Sequence, residues 1–253
     1  MRSCIVLATA ILSLGRVATA QTVDEQIALG NRDHAANNLV SALQHYDAAI
    51  KLDPSNYTAL TKAAHDAVDL GEFDDNHNER DSLYQSAEQY ARRAVAANPT
   101  DAEGHFELAR AVGRRALTMG TRDKIKYANE VRDQALAVLK IDPKHAGALH
   151  IMGVWNEQVM SLNGLSRMIA KNFLGGKVFG EASWDSAQTY LEQAVAQEPN
   201  RITHRLDLAS VYAERDQKAK AVEQYEWIAR APVTDYNDAK YKTLAAARLK
   251  ALQ

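Results

Sequence analysis

From about residue 23 onward, apolar positions recur every three or four residues in alanine-rich stretches, and short polar breaks separate the stretches. That spacing is helical, not the two-residue alternation of a strand, so it predicts a succession of amphipathic helices. Prolines punctuate the succession in one recurring setting: Asp53-Pro54, Asn98-Pro99, Asp142-Pro143 and Glu198-Pro199 each close one apolar stretch and precede the next. Proline stops a helix at such a boundary without damaging the helix that follows.

A 34-residue helix-turn-helix frame hung on these prolines puts Leu29, Gly30, Ala42, Tyr46, Ala49 and Pro54 at the signature places of a tetratricopeptide (TPR) repeat. The frame can be tested where the two helices of a repeat approach most closely. The first such position holds Gly30, Ala64, Ala109, Gly153 and Ala209; the second holds Ala42, Ala87, Val131, Ala187 and Ala221; the third holds Ala49, Ala94, Val138, Ala194 and Ile228. Small side chains there let helix axes come near the lower end of their usual separation, about 8–10 Å, so the recurrence has a steric cause. The expected fold is an all-α, right-handed TPR superhelix of about five helix pairs, with repeats near 23–56, 57–101, 102–145, 146–201 and 202–234. A last helix over 237–252, with Leu244, Ala247 and Leu252 inward, would cap the final repeat.

The prolines stand 45, 44 and 56 residues apart, so the second, third and fourth repeats exceed a 34-residue frame by about 11, 10 and 22 residues. The surplus is expected between each repeat's own helices. In the second it is assigned to a polar loop over 71–79, and in the third to helices lengthened around Gly120. In the fourth it is assigned to a short helix over 165–174, with Met168, Ile169, Phe173 and Leu174 on one side, and a glycine-rich return over 175–180. Thr22 with Glu25 and Thr100 with Glu103 fit capping boxes at two helix starts.

Composition narrows the function. With 30 Lys and Arg against 32 Asp and Glu, the formal charge is −2, which lacks the basic excess a nucleic-acid binder uses against phosphates. Residues 1–20 form a separate unit: Arg2 leads into an apolar run from Cys4 to Gly15, followed by Ala18-Thr19-Ala20. The run is shorter than the ~20 residues that span a bilayer, and the small residues suit a peptidase, so a signal peptide cleaved after Ala20 is expected, with a periplasmic or secreted product. Residues 21–253 would then be a single cysteine-free domain held by core burial alone.

No nucleophile elbow, zinc-protease motif, Cys-x-x-Cys pair or phosphate loop is present, so no catalytic residue and no cofactor is assigned. No metal site is assigned either. His145 and His150 turn to different sides of a helix, and Asp74, Asp75, His77 and Glu79 fit a solvated loop better than a cation site. Arg92-Arg93 and Arg114-Arg115 are taken as solvated faces, and Trp155 as core. The remaining chemistry is binding of a protein or peptide on the first helices of the repeats, which line the concave side. The candidate partner-binding residues are Thr61, His65, Phe106, Arg110, His150, Val154, Glu157 and Ser210, with Phe106 beside Arg110 suited to an extended peptide or an acidic chain terminus. Packing of Phe106 and His150 under the inserted helix is the competing assignment. A small-ligand or lipid carrier, with a pocket covered by residues 165–180, is the alternative function.

Several segments also carry a resemblance. Tyr90-Ala91-Arg92-Arg93-Ala94-Val95, Ala102 through Ala109, Ile141-Asp142-Pro143, Ala148 through Trp155, and Leu165 through Ala170 followed by Phe179-Gly180 are similar to the regulator of microtubule dynamics family of TPR-like proteins. The similarity runs from about residue 25 to the end. Its most distinctive part is the fourth repeat, where His150-x-x-Gly153-x-Trp155 and the insertion are not generic TPR features. The resemblance implies the same fold and a protein-interaction class. Animal members resemble anchored proteins of organelle membranes and microtubules, whereas this chain begins with what looks like a bacterial export signal.

Overall fold

A computed structural model describes residues 22–162 and 177–253. The expected signal segment and most of the 165–180 insertion, including Met168, Ile169, Phe173 and Leu174, lie outside the described residues. The described chain is helical without a strand: α1 (Val23–Ala35), α2 (Leu39–Leu52), α3 (Tyr57–Glu72), α4 (His77–Ala97), α5 (Ala102–Leu117), α6 (Thr121–Ile141), α7 (Ala146–Ser161), a single 3-10 turn (Lys177–Gly180), α8 (Trp184–Gln197), α9 (Ile202–Glu214), α10 (Lys218–Arg230) and α11 (Asp238–Leu252). Helices pack as five sequential pairs, α1 with α2 through α9 with α10, and α11 packs on α10 and α9. This is the TPR solenoid that the proline phase predicts.

Local chemistry sets the boundaries. Thr22 and Glu25 complete a capping box at α1, while Asn38, Asn56, Asn76 and Ser183 accept backbone N–H bonds at the starts of α2, α3, α4 and α8, each satisfying donors that the first turn leaves orphaned. At α5 the cap is Asp101, whose carboxylate accepts from Glu103 N at 2.9 Å, and the Thr100 hydroxyl turns instead to Asn98. The capping box expected at Thr100 therefore does not form: aspartate one residue later is the better acceptor. In the two repeats of bare length the turn places Asn37 and Asp216 at φ 58° and 57°, a left-handed conformation that Asn and Asp tolerate better than most side chains.

The positions of closest approach are buried throughout. Ala42, Ala49, Ala64, Ala87, Ala94, Ala109, Ala187, Ala194, Ala209 and Ala221 have no solvent exposure. At Gly30 a Cβ would overlap the ring of Tyr46, and at Gly153 it would stand 2.5 Å from Leu191 Cγ, so these glycines mark where a backbone lies directly against a neighbouring side chain. Trp155 is core as expected; its Nε1 donates to Ala128 O at 2.8 Å and its ring stacks on buried Phe179 at 5.8 Å.

Three further expectations need correction. The surplus of the second repeat is not a 71–79 loop, because α4 is 21 residues long and begins at His77, leaving only a corner over 73–76. Asn76 caps there and stops α3 and α4 from spreading into a loop. On α11 the phase is shifted: Leu244 and Ala247 face solvent, and Tyr241 and Ala245 are the buried apolar residues, with Leu252 packed at the edge. Arg114 and Arg115 are half-buried ties rather than a solvated face, pairing with Glu72 and Glu88.

The close approach gives a paired test. Gly30→Ala should destabilise the chain by about 1–3 kcal/mol through overpacking against Tyr46. Gly113→Ala, where the new Cβ meets only Val131 at 3.6 Å, should stabilise α5 by up to about 1 kcal/mol by removing a helix-interior glycine. Urea melts of the two variants beside the parent measure both, and equal shifts of one sign would contradict the packing account.

Candidate functional site on the concave face

The first helices α1, α3, α5, α7 and α9 line the inner side of the solenoid, and their inward side chains are largely polar. On α3, His65, Asp69 and Glu72 fall one helical turn apart; on α5, Glu107, Arg110 and Arg114 do the same. Spacings of three and four residues put each trio in one stripe, and adjacent helices bring the stripes together. His65 Nδ1 donates to Glu107 Oε1 at 2.8 Å and its Nε2 lies 3.2 Å from Asp69 Oδ2. Arg110 reaches Asp69 Oδ1 at 2.6 Å and Glu107 Oε2 at 2.9 Å, and Arg114 pairs with Glu72. From α1, His34 Nδ1 donates to Asp66 Oδ1 at 2.7 Å.

The network is mostly out of water, so every member depends on its partners. Glu107 is fully buried, yet its carboxyl is held below the usual range: burial opposes ionisation, and Arg110 and His65 outweigh it. Burial likewise disfavours charge on His65, but Glu107 and Asp69 raise its pKa to about 10. Arg110 and Asp69 shift in the directions that keep both charged.

A second cluster sits on α7 and α9. His150 Nε2 bonds Asp207 Oδ2 at 2.8 Å, and the His150 ring packs 4.7 Å from that of His204. His204 is buried, with Nε2 3.2 Å from Glu198 Oε2 and Nδ1 without a hydrogen-bond partner. Burial, reinforced by His150, lowers its pKa to about 4. Glu157 is shifted the opposite way for a carboxyl, upward, by burial and the nearby Asp207.

The capping helix crosses this inner face. Asn237 Nδ2 donates to Asp69 O at 2.8 Å, Tyr241 packs edge-on against Phe73 at 5.2 Å, and Arg248 donates to Ser210 Oγ. Thus α11 ties the first helix of the second repeat to that of the fifth. Beside its start, a cleft of about 600 Å³ opens between α2, the α3–α4 corner and Tyr236, walled by Leu43, Leu70, Phe73 and Leu83.

The eight candidate binding residues distribute as follows. His65 and Arg110 meet in the ion network. Phe106 is half-buried, its ring 4.7 Å from that of His145, against Gly147 and 5.7 Å from the Arg110 guanidinium. His150 engages Asp207; Val154 packs toward the core of the fifth repeat; Glu157 accepts from Ser161; Ser210 donates to Leu206 O and accepts from Arg248. Thr61 is buried, and its hydroxyl bonds the carbonyls of Tyr57 and Thr58 in its own helix. Asp66, Asp69, Glu72, Glu107 and Asp207 are not singled out by the sequence, and Arg114, expected on a solvated face, joins them through Glu72. Charge complementarity between the stripes on α3 and α5 is the signal for Asp69, Glu72, Glu107 and Arg114; Asp66 and Asp207 lie outside those stripes and have no such signal.

Two measurements test the electrostatics. Arg110→Met should cost about 3–5 kcal/mol, because Asp69 and Glu107 keep buried charges without their partner. For His204 the folded pKa of about 4 lies below the unfolded 6.5, so the unfolded chain binds more protons between these values. Stability contributed by neutral His204 is complete above pH 6.5 and is lost as pH falls toward 4, a change on the order of 2–3 kcal/mol. Urea melts from pH 7 to 4 should show a shallower decline for His204→Gln than for the parent.

Comparison with known proteins agrees with this architecture. The family model for regulator of microtubule dynamics protein 1-3 matches residues 19–253. Regulator of microtubule dynamics protein 1 of Bos taurus is 25% identical over 195 residues, 76% of this chain and 59% of that protein, and the protein of the same name from Mus musculus is 24% identical over 197 residues, covering 76% and 62%. The match thus spans about three fifths of these relatives' length. Among solved structures, a thermophilic TPR protein of Thermus thermophilus superposes with a TM-score of 0.62 at 20% identity, over 90% of this chain and all of the other. Matched from residue 19 to residue 253, the chain belongs to the regulator of microtubule dynamics protein 1-3 family.

Proposed function

We propose that this protein is a non-enzymatic interaction scaffold that holds a protein or peptide segment along the concave side of its solenoid. The observation that carries this reading is the seating of α11: the inner face accepts one of the chain's own helices, through Asn237, Tyr241 and Arg248. A partner helix or extended segment would use the same kind of contact, an amphipathic element laid in a groove. His150, Glu157 and Asp207 border the part of that face near Arg248 of α11, and Phe106 stands beside Arg110 on α5. Residues 1–20 support the further proposal that the scaffold works after export, and among the described residues no helix is long and apolar enough to cross a membrane.

One observation favours a second reading. The cleft of about 600 Å³ is lined by Leu43, Leu70, Phe73 and Leu83 together with Asp47, Asp74, Glu79 and Lys240, a mix of apolar wall and polar groups that a small ligand can use. It lies at the α2–α4 edge beside α11; residues 163–176 of the insertion expected to cover such a pocket lie outside the described residues.

Site-directed photo-crosslinking in the native cells distinguishes the two. With a crosslinker at His150 and a control at exposed Arg93, the scaffold reading expects one partner in near-stoichiometric yield from the inner position only, on a chain whose N-terminal mass begins at Gln21. Equal capture from both positions, or recovery of an unpartnered chain with a bound small molecule in native mass spectrometry, would refute it and, in the second case, favour the carrier.

A further inference from the structure

We propose that His34, His65 and Asp66 form a binding site for one divalent transition-metal ion of the zinc class. Each offers a ligand atom, and the three atoms lie within 4.8 Å of one another. Two imidazole nitrogens and a carboxylate oxygen suit zinc and its first-row neighbours, and are poor ligands for calcium or magnesium, which take oxygen shells.

Three independent features support the site. The Asp66 side chain is 1% exposed, and its Oδ2 is buried with no hydrogen-bond partner. An unpartnered carboxylate oxygen at such depth is costly unless something cationic takes it. The outer contacts fix the ring: His65 is bonded through Nδ1 to Glu107, which Arg110 holds in turn, and Nε2, now 3.2 Å from Asp69 Oδ2, is the nitrogen that would exchange that carboxylate for the ion. A histidine steadied on one nitrogen by a carboxylate recurs at metal centres, where it raises the basicity of the other nitrogen. Finally, Asp69, Glu72 and Glu107 answer Arg110 and Arg114, whereas Asp66 pairs with His34, so among the described residues no guanidinium pairs with its carboxylate.

The position also gives an entry path. His34 and His65 are partly exposed and border a small opening shared with Asp69, Thr234, Asp235 and Tyr236. An ion bound there would tie α1 to α3, and so the first repeat to the second, directly beneath the segment leading into α11. Three protein ligands leave a fourth position of a tetrahedral ion for water or for a side chain of a partner. This inference does not rest on the scaffold reading, since it concerns binding of the ion by the isolated chain.

The test uses the full chain, stripped with a chelator and titrated with Co²⁺ as the spectroscopic probe and Zn²⁺ as competitor. The expected result is one equivalent of Co²⁺ with visible absorption of a low-symmetry site, displaced by Zn²⁺, and a melting temperature raised by about 5 °C or more at a hundredfold excess over Kd. Magnesium should do neither. His34→Ala, at a partly exposed position, and Asp66→Asn should each weaken uptake at least tenfold, while His105→Ala leaves it unchanged. Circular dichroism checks folding, and if Asp66→Asn does not fold, His34→Ala alone decides. Absence of stoichiometric uptake, uptake unchanged in His34→Ala, or equal binding of magnesium would each overturn the proposal.

Discussion

The structure depends on how closely helix backbones approach at the small residues of each repeat. Tyr46 lies on Gly30, and Leu191 on Gly153, with no room for a methyl group between them. Close approach has two consequences. It buries the flat, alanine-rich faces that no single helix hairpin could cover, so each repeat needs its neighbour. It also fixes how the first helices stand beside one another, which brings the stripe on α3 to within bonding distance of the stripe on α5.

That second consequence explains why the inner face is ionic. Side chains at the helix contacts are too short to fill the space inside the superhelix, and long charged residues take it. Once there, they are removed from water and survive only as complementary sets. Glu107, with no exposed surface, is tolerated because Arg110 and His65 both bond it. Such a network contributes less to net stability than its Coulomb energy suggests, since desolvation offsets most of the gain, but losing one member is costly. It therefore makes the relative placement of the second and third repeats rigid, and α11 can then bridge from Asp69 to Ser210 across a face of fixed shape.

How much of this was legible in the sequence follows from range. The proline phase and the small-residue positions are local and periodic, and they gave the helix pairs, the order of repeats and the buried role of Trp155. The phase of α11 was not legible, because Leu244 is a better apolar residue than Ala245 and Tyr241 is turned inward by residues distant in sequence, Phe73 and Glu72 among them. The 71–79 loop failed for a related reason: polar residues such as Asn78 and Glu79 fit an exposed helix turn as well as a loop, and Asn76 decides in favour of the helix. The ion network lies between these cases. Each stripe is visible in its own helix, but the pairing of His65 with Glu107 spans 42 positions and appears only when the repeats are stacked.

The same logic separates what the inner face does for the fold from what it offers a partner. His65 and Arg110 have their hydrogen-bonding capacity engaged by Glu107 and Asp69, so a ligand that took either would have to replace a buried charge with an equal one. His150 and Asp207 are in a different position: they bond one another at the solvent edge, with Glu157 and Arg248 close enough to shift the local potential. Exchange of such an edge pair for a partner's charge leaves no group stranded in the interior. Selectivity for a partner would therefore be set around α7 and α9, while α3 and α5 keep the geometry against which it is read.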